Sequence, residues 1–242
     1  MSSRYFNKHI SQSQHQLFNE YIQQIDLIYE IKLGEKISHD CAIVYFAFSN
    51  LMEISNSLSS EKVFDIIQEL CSFVSESVIR FDGLVNKYLR NGIIAFFPRN
   101  YSDERKRVVE TALDCITAVM DWFYNNHQKQ WNTFIKSDYT LELSAGIDAG
   151  NIYICHAGSI YHGELVLLGD QVNCAHKCKD AACKKEVIIG QDAADMVGFL
   201  YSKFISKGPG IWIKYSNNNV NFKSHTFNWE EFAQAATWIK KN

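Results

Sequence analysis

Two groups of residues in the sequence have types and spacings that could carry chemistry. The first is the tripeptide Arg90, Asn91 and Gly92, which separates the apolar runs 84–89 and 93–97. Asn-Gly between two such runs is the strongest local signal for a tight β-hairpin turn, and a hairpin tip holds polar side chains at a fixed point. The alternative is a purely structural role, because asparagine tolerates the positive backbone angle that such a turn requires.

The second group is a cluster of thiols and an imidazole. Cys174, His176, Cys178 and Cys183 follow one another closely in the chain, and His156 is a fifth candidate zinc ligand. The spacing matches no standard zinc finger, and in a helix Cys174 and Cys178 share one face while His176 points elsewhere. The sequence therefore favours core or surface thiols, with a metal site as the alternative.

The composition limits the classes of protein to consider. The chain has 242 residues, with 24 basic against 27 acidic residues and a net charge of -3. No long run of like charge is present, which argues against nucleic-acid binding. No segment resembles a signal peptide or a membrane span, and the seven cysteines are scattered along the chain. We therefore expect a cytoplasmic protein with reduced thiols.

The hydrophobic pattern predicts alternating strands and helices. A continuously apolar run at 41–48 is typical of a strand that is buried on both faces and central in a sheet. Apolar spacings of three and four predict helices at 9–32, 62–80 and 104–124, and a helix is also expected at 170–183. Further strands are predicted at 84–89, 93–97, 141–147, 151–156, 164–168 and 186–189, with a hairpin-like reversal at Ala149 and Gly150.

This order of elements predicts an α+β domain in which helices pack on a mostly antiparallel sheet. Its first half has the element order of a ferredoxin-like βαββαβ core. We expect an N-terminal amphipathic helix and linker at 1–40, the main domain at 41–192, and an extension at 193–242 that packs on it. The N-terminal helix is interpreted as a clasp on the core, with a dimerising coil as the alternative. The extension is predicted to contain a hairpin (211–215 and 220–223) and a closing helix (229–240).

Four ordered blocks of the sequence resemble the catalytic domain of class III adenylyl and guanylyl cyclases. They are AIVYFAFSNLMEIS (42–55), LVNKYLRNGIIAFF (84–97), LSAGIDAGNIYICHAGS (143–159) and LVLLGDQVNCAHK (165–177). The last two are the most specific, because they contain patterns like the family's GI..G and G..VN.A. The resemblance implies a domain that works as a dimer, with active sites at the subunit interface.

The resemblance also implies where two divalent metal ions, Mg²⁺ or Mn²⁺, would be held. The family places one aspartate at the end of the first strand and one at the hairpin tip, and the corresponding residues here are Phe48 and Asn91. Neither supplies the charged oxygen that a hard cation requires. Leu51 and Arg90 replace neighbouring glycines, and Arg90 brings a permanent cation towards the expected metal position. The acidic residues that could act as relocated ligands are Glu53, Asp82 and Asp170.

The other face of the family's active site is better preserved. Lys87 corresponds to the base-reading lysine, and Asn173 to the asparagine that orients the ribose. Lys177 replaces the arginine that stabilises the transferring phosphate, so the charge remains without the planar two-pronged contact. Val166 occupies the position of the second base-reading residue. Without the resemblance, Lys87 would be interpreted as a solvated strand residue and Asn173 as a helix cap.

These features predict a degenerate cyclase-like signalling module without autonomous cyclase activity. Catalytic roles, if any, would fall to Asn173 and Lys177, and nucleotide contacts to Lys87, Val166 and Asn173. We expect no metal cofactor for the chain alone, and Mg²⁺ or Mn²⁺ only if a partner supplies the ligands. The expected partners are a second copy or another cyclase-like chain, and an NTP; with another chain, this one would form the metal-free half of a heterodimer. The alternatives are an active cyclase with unusual ligands and a pure dimerisation module.

Overall fold

The computed structural model describes residues 28, 30–99, 104–135, 140–215 and 218–237. No helix within these ranges combines the length and hydropathy that a membrane crossing needs. Most of the predicted N-terminal helix at 9–32 lies outside the described residues. Ile28 and Ile31, near its end, have buried side chains.

The predicted strands and long helices follow one another as expected in the described residues, but the strands predicted at 141–147 and 151–156 form one strand, and several short elements were not predicted. The strands are β1 (Lys36–Phe48), β2 (Leu84–Leu89), β3 (Gly92–Pro98), β4 (Leu143–Ser159), β5 (His162–Leu168), β6 (Val187–Gly190), β7 (Ile205–Lys207), β8 (Ile211–Tyr215), β9 (Asn218–Phe222) and β10 (Ser224–Phe227). The helices are α1 (Leu51–Ser55), α2 (Ser60–Arg80), α3 (Arg105–Asp121), α4 (Gln128–Ile135), α5 (Asp170–Ala181), α6 (Gln191–Met196), α7 (Phe199–Ser202) and α8 (Trp229–Ala235).

The main sheet confirms the predicted fold class. Its order is β2-β3-β1-β4-β6-β10-β7, with β5 paired to β4. The pairs β1–β3, β1–β4 and β2–β3 are antiparallel, as a ferredoxin-like βαββαβ core requires, whereas β4 and β6 are parallel. Strands β10 and β7 extend this sheet, and β8 and β9 form the predicted hairpin as a separate two-stranded sheet.

Strand β1 is central, as its unbroken apolar sequence predicted. Every residue from Cys41 to Phe48 is buried. Val44 and Phe46 belong to the large core cluster that includes α2 and α3, whereas Ile43 and Tyr45 belong to a smaller cluster on the opposite face. The strand begins at Lys36 rather than at Cys41 because residues 36–40 pair with β4.

The predicted reversal at 149–150 is wrong. Strand β4 runs without interruption through both residues, and the chain reverses only between Ser159 and His162. Gly146 and Gly150 instead lie where α5 packs against the strand: a Cβ atom at Gly146 would lie 2.1 Å from the backbone nitrogen of Lys179. A strand glycine therefore marked an approaching backbone here, not a turn.

The helices confirm the predicted periodicities with shifted ends. Ser59 caps α2, accepting a hydrogen bond from the backbone N–H of Lys62. Helix α3 continues through a π-helical turn (Trp122–His127) into α4, so the helical run extends beyond the predicted end at residue 124. Residues 51–55, which lie between the strand predicted at 41–48 and the helix predicted at 62–80, form the short helix α1. Residues 238–240 of the predicted closing helix lie outside the described ranges.

Candidate functional site

The end of β1 and the β2–β3 turn meet at what we call the strand-end junction, residues 48–52 and 90–92. The backbone N–H of Phe48 donates to the carbonyl of Asn91 at 2.8 Å, and the side-chain amide of Asn91 donates to the carbonyl of Phe48 at 3.1 Å. A Cβ atom at Gly92 would lie 1.9 Å from the carbonyl oxygen of Phe46, so this close approach requires glycine. The structure therefore brings positions 48 and 91 together.

The side chain of Phe48 belongs to the hydrophobic core. It is fully buried, and its ring centroid lies 5.7 Å from that of Phe123 and 5.7 Å from that of Trp131. Both partners come from the helical run that extends beyond its predicted end. Position 48 is consequently surrounded by aromatic carbon rather than by water and polar groups.

The residues of the strand-end junction do not fit a divalent cation. The amide of Asn91 directs a donor, not its oxygen, at the nearest backbone carbonyl. No group of three or more His, Cys, Asp or Glu side chains is placed to hold a metal ion among the residues that the structure describes. Glu53, Asp82 and Asp170 therefore do not assemble into a replacement site there.

The thiol cluster is part of the core as well. Cys174 and Cys178 are buried in a small apolar cluster that includes Ile188. Burial raises the pKa of the Cys174 thiol to about 12, which opposes the thiolate form that a metal needs. His176 instead lies beside Tyr45, with ring centroids 5.1 Å apart. The favoured interpretation of these cysteines as core thiols is consistent with this arrangement, and Cys183 is exposed.

The side chain of Lys87, on β2, contacts Glu164 of strand β5. Its ammonium lies 3.4 Å from the carboxylate of Glu164, and both side chains are about half exposed. The neighbouring side-chain amide of Asn86 donates to the carbonyl of Leu165 at 2.9 Å. Val166, half-buried, is two residues from Glu164 and so points to the same side of β5. We call Lys87, Glu164 and Val166, together with Asn173 and Lys177 of α5, which the sequence resemblance groups with Lys87 and Val166, the cationic face.

Glu164 is the member of this face that sequence reasoning missed. A signal was present, because a residue two positions from Val166 on the same strand must share its side. The carboxylate of Glu164 is a hydrogen-bond acceptor beside the ammonium donor of Lys87. The side chain of Val166 can neither donate nor accept a hydrogen bond.

Helix α5 carries the remaining predicted residues. Asn173 is exposed, and Lys177 lies four residues later, which places both on one side of the helix. The ammonium of Lys177 is 3.6 Å from the carboxylate of Asp180. Gly169 is the N-cap, so Asn173 does not cap the helix.

Beneath α5 lies a buried carboxyl group that the sequence interpretation did not single out. One oxygen of Asp148, on β4, accepts the backbone N–H of Ala193 at 3.0 Å, and the other has no hydrogen-bond partner among the described residues. Burial, with the charge of Asp192 nearby, raises the pKa of Asp148 to about 7. Cys174 of α5 also contacts this carboxyl group.

Comparisons with known proteins place this geometry in context. No protein-family model and no curated protein matches the sequence. Solved structures do match. The adenylyl cyclase CyaB from P. aeruginosa has a TM-score of 0.69 at 16% identity, over 80% of this chain and 95% of that one.

Two further structures are similar. The guanylate cyclase domain of RhGC from Catenaria anguillulae, in complex with GTP, has a TM-score of 0.63 at 11% identity, over 79% of this chain and 98% of that one. A bacterial light-regulated adenylyl cyclase has a TM-score of 0.62 at 12% identity, over 99% of this chain and 73% of that one. The chain therefore has the fold of the class III adenylyl and guanylyl cyclase catalytic domains.

Proposed function

We propose that this chain is a degenerate cyclase-like domain that makes no cyclic nucleotide by itself. It acts as a signalling module by binding a nucleotide and pairing with another cyclase-like chain. The observation that carries the proposal is the chemistry of the strand-end junction. Two-metal phosphoryl chemistry needs charged oxygen ligands, and the two positions that the resemblance assigns to them hold a buried phenyl ring and a hydrogen-bonded amide.

The cationic face supports the nucleotide-binding part of the proposal. Lys87 and Lys177 both keep exposed ammonium groups, and Glu164 lies beside Lys87. These groups match what a purine edge and a phosphate require, namely a donor beside an acceptor and a separate cation. The similar RhGC domain was solved with GTP, which supports a nucleoside triphosphate as the ligand class.

The strand-end junction lacks carboxylates, whereas the cationic face keeps its polar residues. This difference supports pairing with a different chain. A self-pair has the same two residues at both of its strand-end junctions, so neither half brings carboxylates to a metal. A partner with aspartates at the corresponding positions would supply them, while this chain supplies the cationic face. The metal would then be held by the partner's residues alone.

The test is a direct assay for turnover. The purified chain is incubated with ATP, GTP, CTP or UTP and MnCl₂, and cyclic products are measured by mass spectrometry beside an active cyclase. We expect no cyclic product. Turnover that EDTA abolishes would contradict the proposal and favour an active cyclase with unusual ligands.

A further inference from the structure

A buried carboxyl group lies where helices α5 and α6 cover strand β4. Asp148 is fully buried; one carboxyl oxygen accepts the backbone N–H of Ala193 in α6, and the other has no hydrogen-bond partner among the described residues. Cys174 of α5 contacts the same group. The packing is close, because a Cβ atom at Gly190 would lie 2.3 Å from the carboxyl carbon. An ionised carboxylate here would lack both water and a full set of donors.

The ionisable groups that face Asp148 do not balance a negative charge. From α5 these are the thiols of Cys174 and Cys178, and from α6 the carboxylate of Asp192. Burial raises the pKa of Cys174 to about 12 and raises that of Cys178 as well, so both thiols stay neutral at physiological pH. On the neighbouring strands, Ile43 of β1 lies opposite Asp148, and β6 contains no ionisable side chain.

The basic side chains of α5 and β10 are engaged elsewhere. The three from α5 all lie within 4 Å of the carboxylate of Asp180: His176, Lys177 and Lys179. His225, on β10, lies 3.0 Å from the side-chain oxygen of Gln191. Asp148 itself takes part in no ion pair within the described ranges. A negative charge on Asp148 would therefore be buried without a compensating cation.

The cost of such a charge is removed either by protonation or by hydration. Burial, with Asp192 nearby, raises the pKa of Asp148 to about 7, so the choice falls within the physiological range. Strand β4 itself is held firmly, because it pairs with β1 from Leu143 to Cys155. The covering elements are weaker: α6 has six residues, too few for a helix that is stable alone, and α5 contributes to a small apolar cluster. Hydration of the charge therefore displaces α5 and α6 rather than β4.

We propose that Asp148 is a pH-sensitive lock for helices α5 and α6. With its proton, the carboxyl group is tolerated and both helices stay docked on β4. Without the proton, the helices open locally and let water reach the carboxylate. The lock requires neither nucleotide binding nor an absence of turnover, so it is independent of the function proposed above. It bears on that function because α5 carries Asn173 and Lys177.

The experiment is hydrogen–deuterium exchange with mass spectrometry on the full chain at pH 5.5 and pH 8, with exchange times scaled to the intrinsic rate at each pH. Opening returns the pKa of Asp148 from about 7 towards 3.8, so ionisation favours the open state and opening increases as the pH rises. The opening equilibrium should rise on the order of 30-fold between these two pH values. We expect peptides from α5 and α6 to lose protection at least about tenfold, and peptides from α3 to keep it.

Two variants without the ionisable group test its role directly. Asp148→Asn should abolish the pH dependence of protection in both helices. Asp148→Ser, a smaller uncharged replacement, should behave in the same way, so the result does not depend on the amide fitting the site. Asp195→Asn removes an exposed carboxylate from α6 itself and is the matched control, which should retain the pH dependence. Circular dichroism spectra confirm that the variants are folded.

Three results would overturn the inference. The first is protection of α5 and α6 that is independent of pH in the unmodified chain, which decides the matter without any variant. The second is a pH dependence that persists in both uncharged variants. The third is an equal loss of protection in α3, which would indicate unfolding of the whole domain. The turnover assay reads out the proposed function separately, since formation of a cyclic product would leave the lock unaffected.

Discussion

The strand-end junction and the cationic face both include residues of the main sheet, but their side chains have opposite surroundings. At the junction, the side chain of Phe48 is fully buried among aromatic rings, and the side-chain amide of Asn91 donates a hydrogen bond to the backbone carbonyl of Phe48. On the cationic face, Lys87 and Glu164 are each about half exposed, and Asn173 is exposed. The first region stabilises the fold, and the second leaves its polar groups available to a ligand.

Two positions that meet at one turn are thus taken up by packing and backbone hydrogen bonding, while other positions of the same sheet stay polar and exposed. An aromatic residue at 48 is accommodated because the π-helical turn and α4 bring Phe123 and Trp131 against it. Restoring a carboxylate there would thus require more than one substitution. Three sets of variants test whether the two regions differ in this way.

The largest effect is expected from Phe48→Asp. A carboxylate at a fully buried aromatic site has no partner, so we expect a loss of more than about 4 kcal/mol in the free energy of unfolding. The measurement is urea denaturation with and without MnCl₂, for this variant and for Phe48→Asp combined with Asn91→Asp. Phe48→Leu is the control and should lose only about 1 kcal/mol, because the position stays apolar.

A double variant that folds and is stabilised by MnCl₂ would contradict our interpretation of the junction as a packed region that holds no metal ion. It would show that the junction is an intact metal site lacking only its two carboxylates. We expect instead that MnCl₂ leaves the midpoint of denaturation unchanged.

A smaller effect is expected at Asp148, whose buried carboxyl group accepts the backbone N–H of Ala193 in α6. Its pKa of about 7 exceeds the unfolded value of 3.8, so the folded state binds this proton more tightly. Stability from this group is therefore greatest below pH 4 and falls as the pH rises to about 7, by at most about 4 kcal/mol. Asp148→Asn should remove this fall and be more stable than the unmodified chain at pH 8.

The control for this prediction is Asp195→Asn. It removes an exposed carboxylate from α6, the helix that contains Ala193, without altering the buried carboxyl group of Asp148. Its denaturation midpoint should follow the pH dependence of the unmodified chain between pH 5 and 8. An unchanged slope in Asp148→Asn would mean that the carboxyl group reaches water or a polar partner in solution.

The smallest effect on stability is expected from Lys87→Ala and Lys177→Ala. Exposed ion pairs contribute less than about 1 kcal/mol, so both variants should unfold within about 0.5 kcal/mol of the unmodified chain. If the cationic face binds nucleotide, Lys87→Ala should nonetheless weaken ATP or GTP binding measured by calorimetry. A large loss of stability in either variant would mean that this face is structural like the junction.

Much of the fold could be predicted because its signals are local. The unbroken apolar run at 41–48 required burial on both faces, and Asn91-Gly92 between two apolar runs required a hairpin. Helix periodicity identified α2 and α3, since one face of each must meet the sheet. These patterns need no knowledge of distant contacts.

The wrong or missing predictions concern residues whose role depends on contacts with residues far away in the sequence. Ala149 and Gly150 were interpreted as a reversal, but a Cβ atom at Gly150 would lie 2.9 Å from the side chain of Gln171 in α5, which packs against the strand. Glu164 was passed over because its neighbour Lys87 is on another strand. The buried state of the Asp148 carboxyl group could not be predicted either, because it results from contacts of β4 with both α5 and α6.

The sequence alone determined the succession of the long helices, the β2–β3 hairpin, the central position of β1 and the absence of carboxylates at positions 48 and 91. These follow from side-chain chemistry and from spacing along one segment. Only the tertiary structure decided that aromatic rings surround Phe48 and that Lys87 faces Glu164. The physical reason is that burial and charge pairing are set by residues far apart in the chain, which meet only when the sheet and its helices have assembled.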